Sequence, residues 1–112
     1  MELAEKKSGD ICILGLTGRL DAYSATEVEK KLDAIIETGC VKMVIDLEGL
    51  EYISSSGLRV FLSQLKKVRK QQGDIKLACM KSYIKEVFDI AGFTQLFSIF
   101  ETEDAASISY KS

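Results

Sequence analysis

Residues 41–47, Val-Lys-Met-Val-Ile-Asp-Leu, form a short apolar run bounded by turn signals. That is the pattern of a strand buried on both faces of a parallel sheet. Runs of this kind recur along the chain, and between them lie stretches whose apolar residues return every three or four positions. Ile11–Gly18 reads as a strand bounded by glycine, residues 74–80 as another, and residues 96–100 as a last one. A weaker strand signal covers residues 2–6. Between the runs, Val28, Leu32, Ile35 and Ile36 make one helical stripe, with Ser24 and Glu27 as an S-x-x-E capping box and Gly39 as the stop. Leu58, Phe61, Leu62, Leu65 and Val68 make a second stripe that ends near Gly73. Ser82 caps a third helix, with Ile84, Val87, Phe88 and Ala91 inward and Gly92 as its stop. Thr102 starts a short terminal helix. Residues 48–52 read as a connection. Strands alternating with helices predict an α/β domain with a mostly parallel sheet of four to five strands and about four helices, joined by right-handed crossovers.

At 112 residues the chain is one domain, 1–112, large enough for a core of its own. A net charge of −2 argues against a direct nucleic-acid role resting on basicity. No apolar run reaches the roughly 18 residues of a membrane span, and the N-terminus lacks a secretory h-region. The expectation is a cytoplasmic protein. Cys12, Cys40 and Cys79 show no metal-ligand spacing; they read as small buried hydrophobes in a reducing compartment. No histidine is present, which removes Ser-His and Cys-His nucleophile pairs and His-ligated zinc. No metal or cofactor is expected.

Ser54, Ser55 and Ser56 stand between a strand and a helix, followed by Gly57. One of them caps the helix, worth about 1 kcal/mol. Capping does not account for three. An exposed serine at a helix N-terminus can be a nucleophile or a phosphate acceptor. The first needs a base, and the order is not the G-x-S-x-G elbow. The second needs only access and tolerance of the product. A phosphoserine carries about −1.5 to −2 charges. A helix N-terminus favours such charge by roughly 0.3–1 kcal/mol, whereas burying it unpaired under a docked protein costs several kcal/mol. Phosphate here would leave the fold intact and abolish docking. Gly57 would permit close approach of another backbone.

Two segments, GRLDAYSA at 18–25 and VIDLEGLEYISSSGLRVFL at 44–62, resemble anti-sigma-factor antagonists of the STAS domain class. The resemblance covers nearly the whole chain. Gly18, Leu20 and Asp21 match the element before the first helix, and Asp46 and Leu47 match the end of an apolar strand. Ser54-Ser55-Ser56-Gly57-Leu58 matches the acceptor loop, with Ser54 where many members carry aspartate. The resemblance implies phosphorylation at Ser55, with Ser54 and Ser56 as alternatives. The kinase would be an anti-sigma factor serine kinase of the histidine-kinase-like ATPase fold, and a metal-dependent serine phosphatase would reverse it. Unphosphorylated protein would bind the anti-sigma factor and free the sigma factor. Asp21, Asp46, Ser54, Ser56, Gly57, Leu58 and Arg59 are the expected partner-binding residues around the acceptor. For Asp21 and Asp46, local turn and strand-end roles stand beside that one, and the basic residues from Arg59 to Lys70 read chiefly as a solvated face. The expected function is regulatory and not enzymatic. A STAS sensor or scaffold module that binds a nucleotide or small ligand is the alternative, and an enzyme using Ser55 as nucleophile a remoter one.

Overall fold

The structure is a computed structural model and describes residues 1–111. Five strands, β1 (Glu2–Ser8), β2 (Ile11–Leu20), β3 (Lys42–Ile53), β4 (Asp74–Ala78) and β5 (Ser98–Phe100), lie in the order β1-β2-β3-β4-β5. β1 runs antiparallel to β2, and the other pairs are parallel. Helices α1 (Ala22–Glu37), α2 (Ser55–Lys70) and α3 (Ser82–Ala91) make the crossovers, and α4 (Glu103–Ser109) follows β5. The mixed, mostly parallel sheet with four helices is the expected architecture.

Sequential strand order with crossovers of one hand places α1, α2 and α3 on the same face of the sheet. The main core lies there: Leu14, Leu16, Ile45 and Leu47 of the sheet pack against Val28, Leu32, Phe61, Leu65 and Phe88. A smaller cluster on the other face joins Ile11, Ile13, Val44 and Ala78 to Ala106 of α4. The Tyr110 hydroxyl anchors α4 there, 2.7 Å from the Met43 carbonyl and 2.8 Å from that of Asp74.

Several local expectations change. β3 continues through residues 48–52 instead of ending in a connection. Its register against β2 steps by one extra residue twice, between Asp46 and Gly49 and between Leu50 and Tyr52. Each step is a bulge on β3, so its buried residues there are Leu47, Leu50 and Ile53, three apart. A spacing of three does not read as a strand, whose side chains alternate by two. At α1 the cap is Asp21, not Ser24: the Ser24 N–H donates to Asp21 Oδ1 at 2.9 Å, and the Asp21 N–H donates to Ser24 Oγ at 3.0 Å. The reciprocal pair exists, one turn earlier than the S-x-x-E pattern placed it. α3 starts behind Lys81 with no side-chain cap, which puts Ser82 inside the helix, and Ala91 is exposed. Gly92 stops α3 in the left-handed region at φ 77°, as expected, a conformation costly to residues with a Cβ.

Cys12 is buried as expected, but it is not a free thiol. Its sulfur is bonded to that of Cys40, 28 residues away. The bond joins β2 to the loop before β3. Cys79 is the free cysteine.

Candidate functional site

β2 and β3 pair to their last residues, Leu20 opposite Ile53. The next residue of each, Asp21 and Ser54, is the cap of the helix that follows. The Ser54 N–H donates to the Leu20 carbonyl at 2.8 Å. Two helix N-termini are therefore held side by side at the carboxyl edge of the sheet, where the partial positive charges of their first turns add.

Of the three serines, Ser54 is the cap. Its hydroxyl accepts from the Gly57 N–H at 3.2 Å. Ser55 is the first residue of α2, and its side chain is exposed; Ser56 is half-buried. Among the described residues no side-chain partner engages the Ser55 hydroxyl. The division of labour is physical: one hydroxyl satisfies the helix end, and the next is left to solvent.

Gly57 is buried and faces inward. A Cβ there would lie 2.7 Å from Leu20 Cγ and 3.1 Å from Ile53 Cγ1. The close approach it permits is thus to this chain's own β2 and β3, not to another molecule. Leu58 is 7% exposed and belongs to the core. These two residues of the expected binding loop shape the site from below and offer no surface to a partner. Arg59 is exposed one turn along α2 from Ser55.

Asp21 is half-buried beside Ser54. Donation from the Ser24 backbone N–H, then from its hydroxyl, holds the Asp21 carboxyl below its usual range. Asp46 is elsewhere. It lies eight residues before Ser54 along β3, roughly 25 Å of extended chain, and its Oδ1 accepts from the Glu48 N–H at 2.9 Å, inside the first bulge. It does not join the serines. On its own side of the sheet, Asp46, Glu48 and Cys79 bring one potential ligand atom each within 4.8 Å of one another. Burial, with Asp46 beside it, pushes the Cys79 thiol up to about 11, so it is protonated at neutral pH.

Sequence reasoning missed the rim of the site. Arg19 and Tyr52 are register partners two residues before the caps, and the Arg19 guanidinium sits 4.3 Å over the Tyr52 ring. Tyr23, in the first turn of α1, is 82% exposed. Tyrosine fits core and surface alike, so only the bulges of β3 reveal where Tyr52 points.

The STAS domain profile matches residues 2–106. The chain belongs to the STAS domain family. BtrV of Bordetella bronchiseptica, named as a candidate anti-sigma factor antagonist, is 36% identical over 111 residues, covering 99% of this chain and 96% of that protein. The anti-sigma-B factor antagonist of Bacillus subtilis is 34% identical over 86 residues, 77% of this chain and 78% of that one. Among solved structures, a candidate anti-sigma factor antagonist from Thermotoga maritima superposes with a TM-score of 0.93 at 22% identity, covering 98% of this chain and 95% of that chain. The phosphorylated form of the Bacillus cell-fate determinant SpoIIAA superposes at 0.77 and 19% identity, over 97% and 99%. At such identities the structural likeness bears on the fold alone. Among the described residues of this STAS domain, no helix is long and apolar enough to cross a membrane.

Proposed function

We propose that this STAS domain is an anti-sigma-factor antagonist whose docking is switched off by phosphorylation of Ser55. The observation that carries the reading is the exposed Ser55 hydroxyl, left without a structural task because Ser54 caps α2. The relatives named above as anti-sigma factor antagonists support the partner class.

In this reading a kinase-type anti-sigma factor binds over the two helix N-termini, touching Ser55, Asp21, Ser56 and Arg59. Transfer forms the Ser55 Oγ–phosphorus bond as the γ-phosphoryl bond of ATP breaks. ADP leaves, and the hydroxyl proton passes to a base on the kinase. A phosphatase hydrolyses the ester and releases inorganic phosphate. Both steps belong to cytoplasmic partners, and this chain supplies only the acceptor. The phosphoryl group stays exposed at the end of α2, where the helix dipole favours it. Covered by the partner, the same charge would lose its hydration, at several kcal/mol that one neighbouring cation does not fully offset.

The test is to incubate the protein with its cognate kinase-type anti-sigma factor and ATP, and to map phosphate by mass spectrometry. Phosphate at Ser55 is expected. Ser55→Ala is expected to bind as the wild type does, and Ser55→Asp at least tenfold more weakly. Unmodified protein in the presence of an active kinase, or equal affinity of the two variants, overturns the proposal.

A further inference from the structure

α2 carries five basic residues, Arg59, Lys66, Lys67, Arg69 and Lys70, and no acidic one, in a chain whose net charge is −2. Two of the five are spoken for. Lys67 Nζ pairs with Asp33 at 2.7 Å, and Arg69 pairs with Asp74 at 3.5 Å. Arg59, Lys66 and Lys70 are exposed and have no ion-pair partner among the described residues. With Ser55 and Leu62 they stand at positions 55, 59, 62, 66 and 70, spaced by four, three, four and four. At 3.6 residues per turn these positions form one stripe along the exposed side of the helix, about 22 Å from end to end. Ser55 is its head, and half-buried Leu62 its middle.

A solvated lysine face accounts for Lys70, which complements the helix C-terminus. It accounts less well for Arg59, a cation in the positive half of the helix. Nor does it explain why Arg59 and Lys66, both unpaired, follow Ser55 along one side of the helix. We infer that this stripe is a docking surface for an acidic face of the protein that phosphorylates Ser55. An apolar residue ringed by cations suits a protein partner, whose interface core is apolar and whose rim sets charge complementarity. Three unpaired cations on a chain of net negative charge are a poor footing for nucleic acid. The stripe also couples to the switch. A phosphate on Ser55 faces Arg59 at i+4, the spacing at which helix side chains pair. It would take Arg59 out of the surface and place negative charge at the stripe's head, opposite an acidic partner.

The inference rests on the docking proposed above, and its test separates the two. Affinity and association rate are measured for unphosphorylated protein and the cognate kinase-type anti-sigma factor at about 50 mM and about 500 mM salt. The double variant Lys66→Gln/Lys70→Gln, two turns or more from Ser55, is compared with wild type and with Arg59→Gln. All three positions are exposed, so unchanged melting confirms the fold. The double variant is expected to bind about fivefold to twentyfold more weakly at low salt, mainly through slower association, and less than about threefold more weakly at high salt. Equal affinity at low salt, with Ser55→Asp still weakened, overturns the stripe and leaves the switch standing. Wild-type protein that does not bind at all overturns both. Stripe-dependent binding of a 20-base-pair DNA duplex (roughly two helical turns), tighter than that of the anti-sigma factor, overturns the choice of a protein occupant.

Discussion

The Ser54 backbone N–H donates to the Leu20 carbonyl oxygen across 2.8 Å, so the last residue of β2 holds the cap of α2. That bond extends the strand register by one step beyond Leu20 and Ile53. It brings the first turns of α1 and α2 to the same edge and fixes the direction in which Ser55 leaves the sheet.

Ser54 contributes through its hydroxyl, which accepts from Gly57 N–H. Ser54→Ala is expected to cost about 1 kcal/mol in urea denaturation, and Ser54→Asp close to nothing, because either oxygen can accept at a helix start. If Ala and Asp denature together, the cap contributes nothing.

Gly57 has no room for a side chain, since an added Cβ would meet Leu20 Cγ at 2.7 Å. Gly57→Ala is expected to destabilise by about 1–3 kcal/mol, the usual cost of forcing extra atoms into a packed site. It should also weaken docking, because α2 must shift at the end that carries Ser55. Denaturation and a binding titration check the two effects. A variant as stable as wild type would mean that Leu20 yields without cost.

The Asp21 carboxyl titrates below its ordinary value because the Ser24 N–H and hydroxyl donate to it. A carboxyl lowered by folding stabilises the protein above its unfolded pKa, near 3.9, and that contribution disappears as pH falls through the folded value. Asp21→Asn keeps a capping oxygen and loses the titration. Wild type is therefore expected to lose more stability than Asp21→Asn between pH 5 and pH 2 (round values bracketing the titration), measured as denaturation midpoints. Parallel curves would show that Asp21 is not coupled to folding.

Cys12 and Cys40 are bonded across a separation of 28 residues. Closing a loop of that length restricts the unfolded chain and is worth roughly 2–4 kcal/mol. Reduction, or Cys12→Ser with Cys40→Ser, is expected to lower stability by that amount, while Cys79→Ser leaves the oxidised protein's thiol count at zero. Three reactive thiols in unfolded, unreduced protein would contradict the pairing.

Much of the scaffold is legible without coordinates. The terminal helix begins where Thr102 said it would: its Oγ1 accepts from the Ala105 N–H at 3.0 Å. The stripe of α1 faces the core, as does that of α2 apart from half-buried Leu62, which lies toward the exposed side, and Gly92 ends α3. These are local matters, decided by periods of two or 3.6 and by residues three positions apart. The excess of serines before Gly57 is equally visible, and so is the argument that one of them is enough for a cap.

What the sequence alone determined is the order of strands and helices and the presence of a surplus hydroxyl at one helix start. Tertiary structure decided which hydroxyl was surplus, because Ser54 became the cap once its N–H was tied to Leu20. It decided the length of β3 as well, since two bulges against β2 shifted the buried spacing to three and disguised the strand. It turned Gly57 and Leu58 inward, separated Asp46 from the serines, and joined Cys12 to Cys40. Each of these outcomes depends on a neighbour far away in the chain, and a local pattern carries no record of which distant segment will lie beside it.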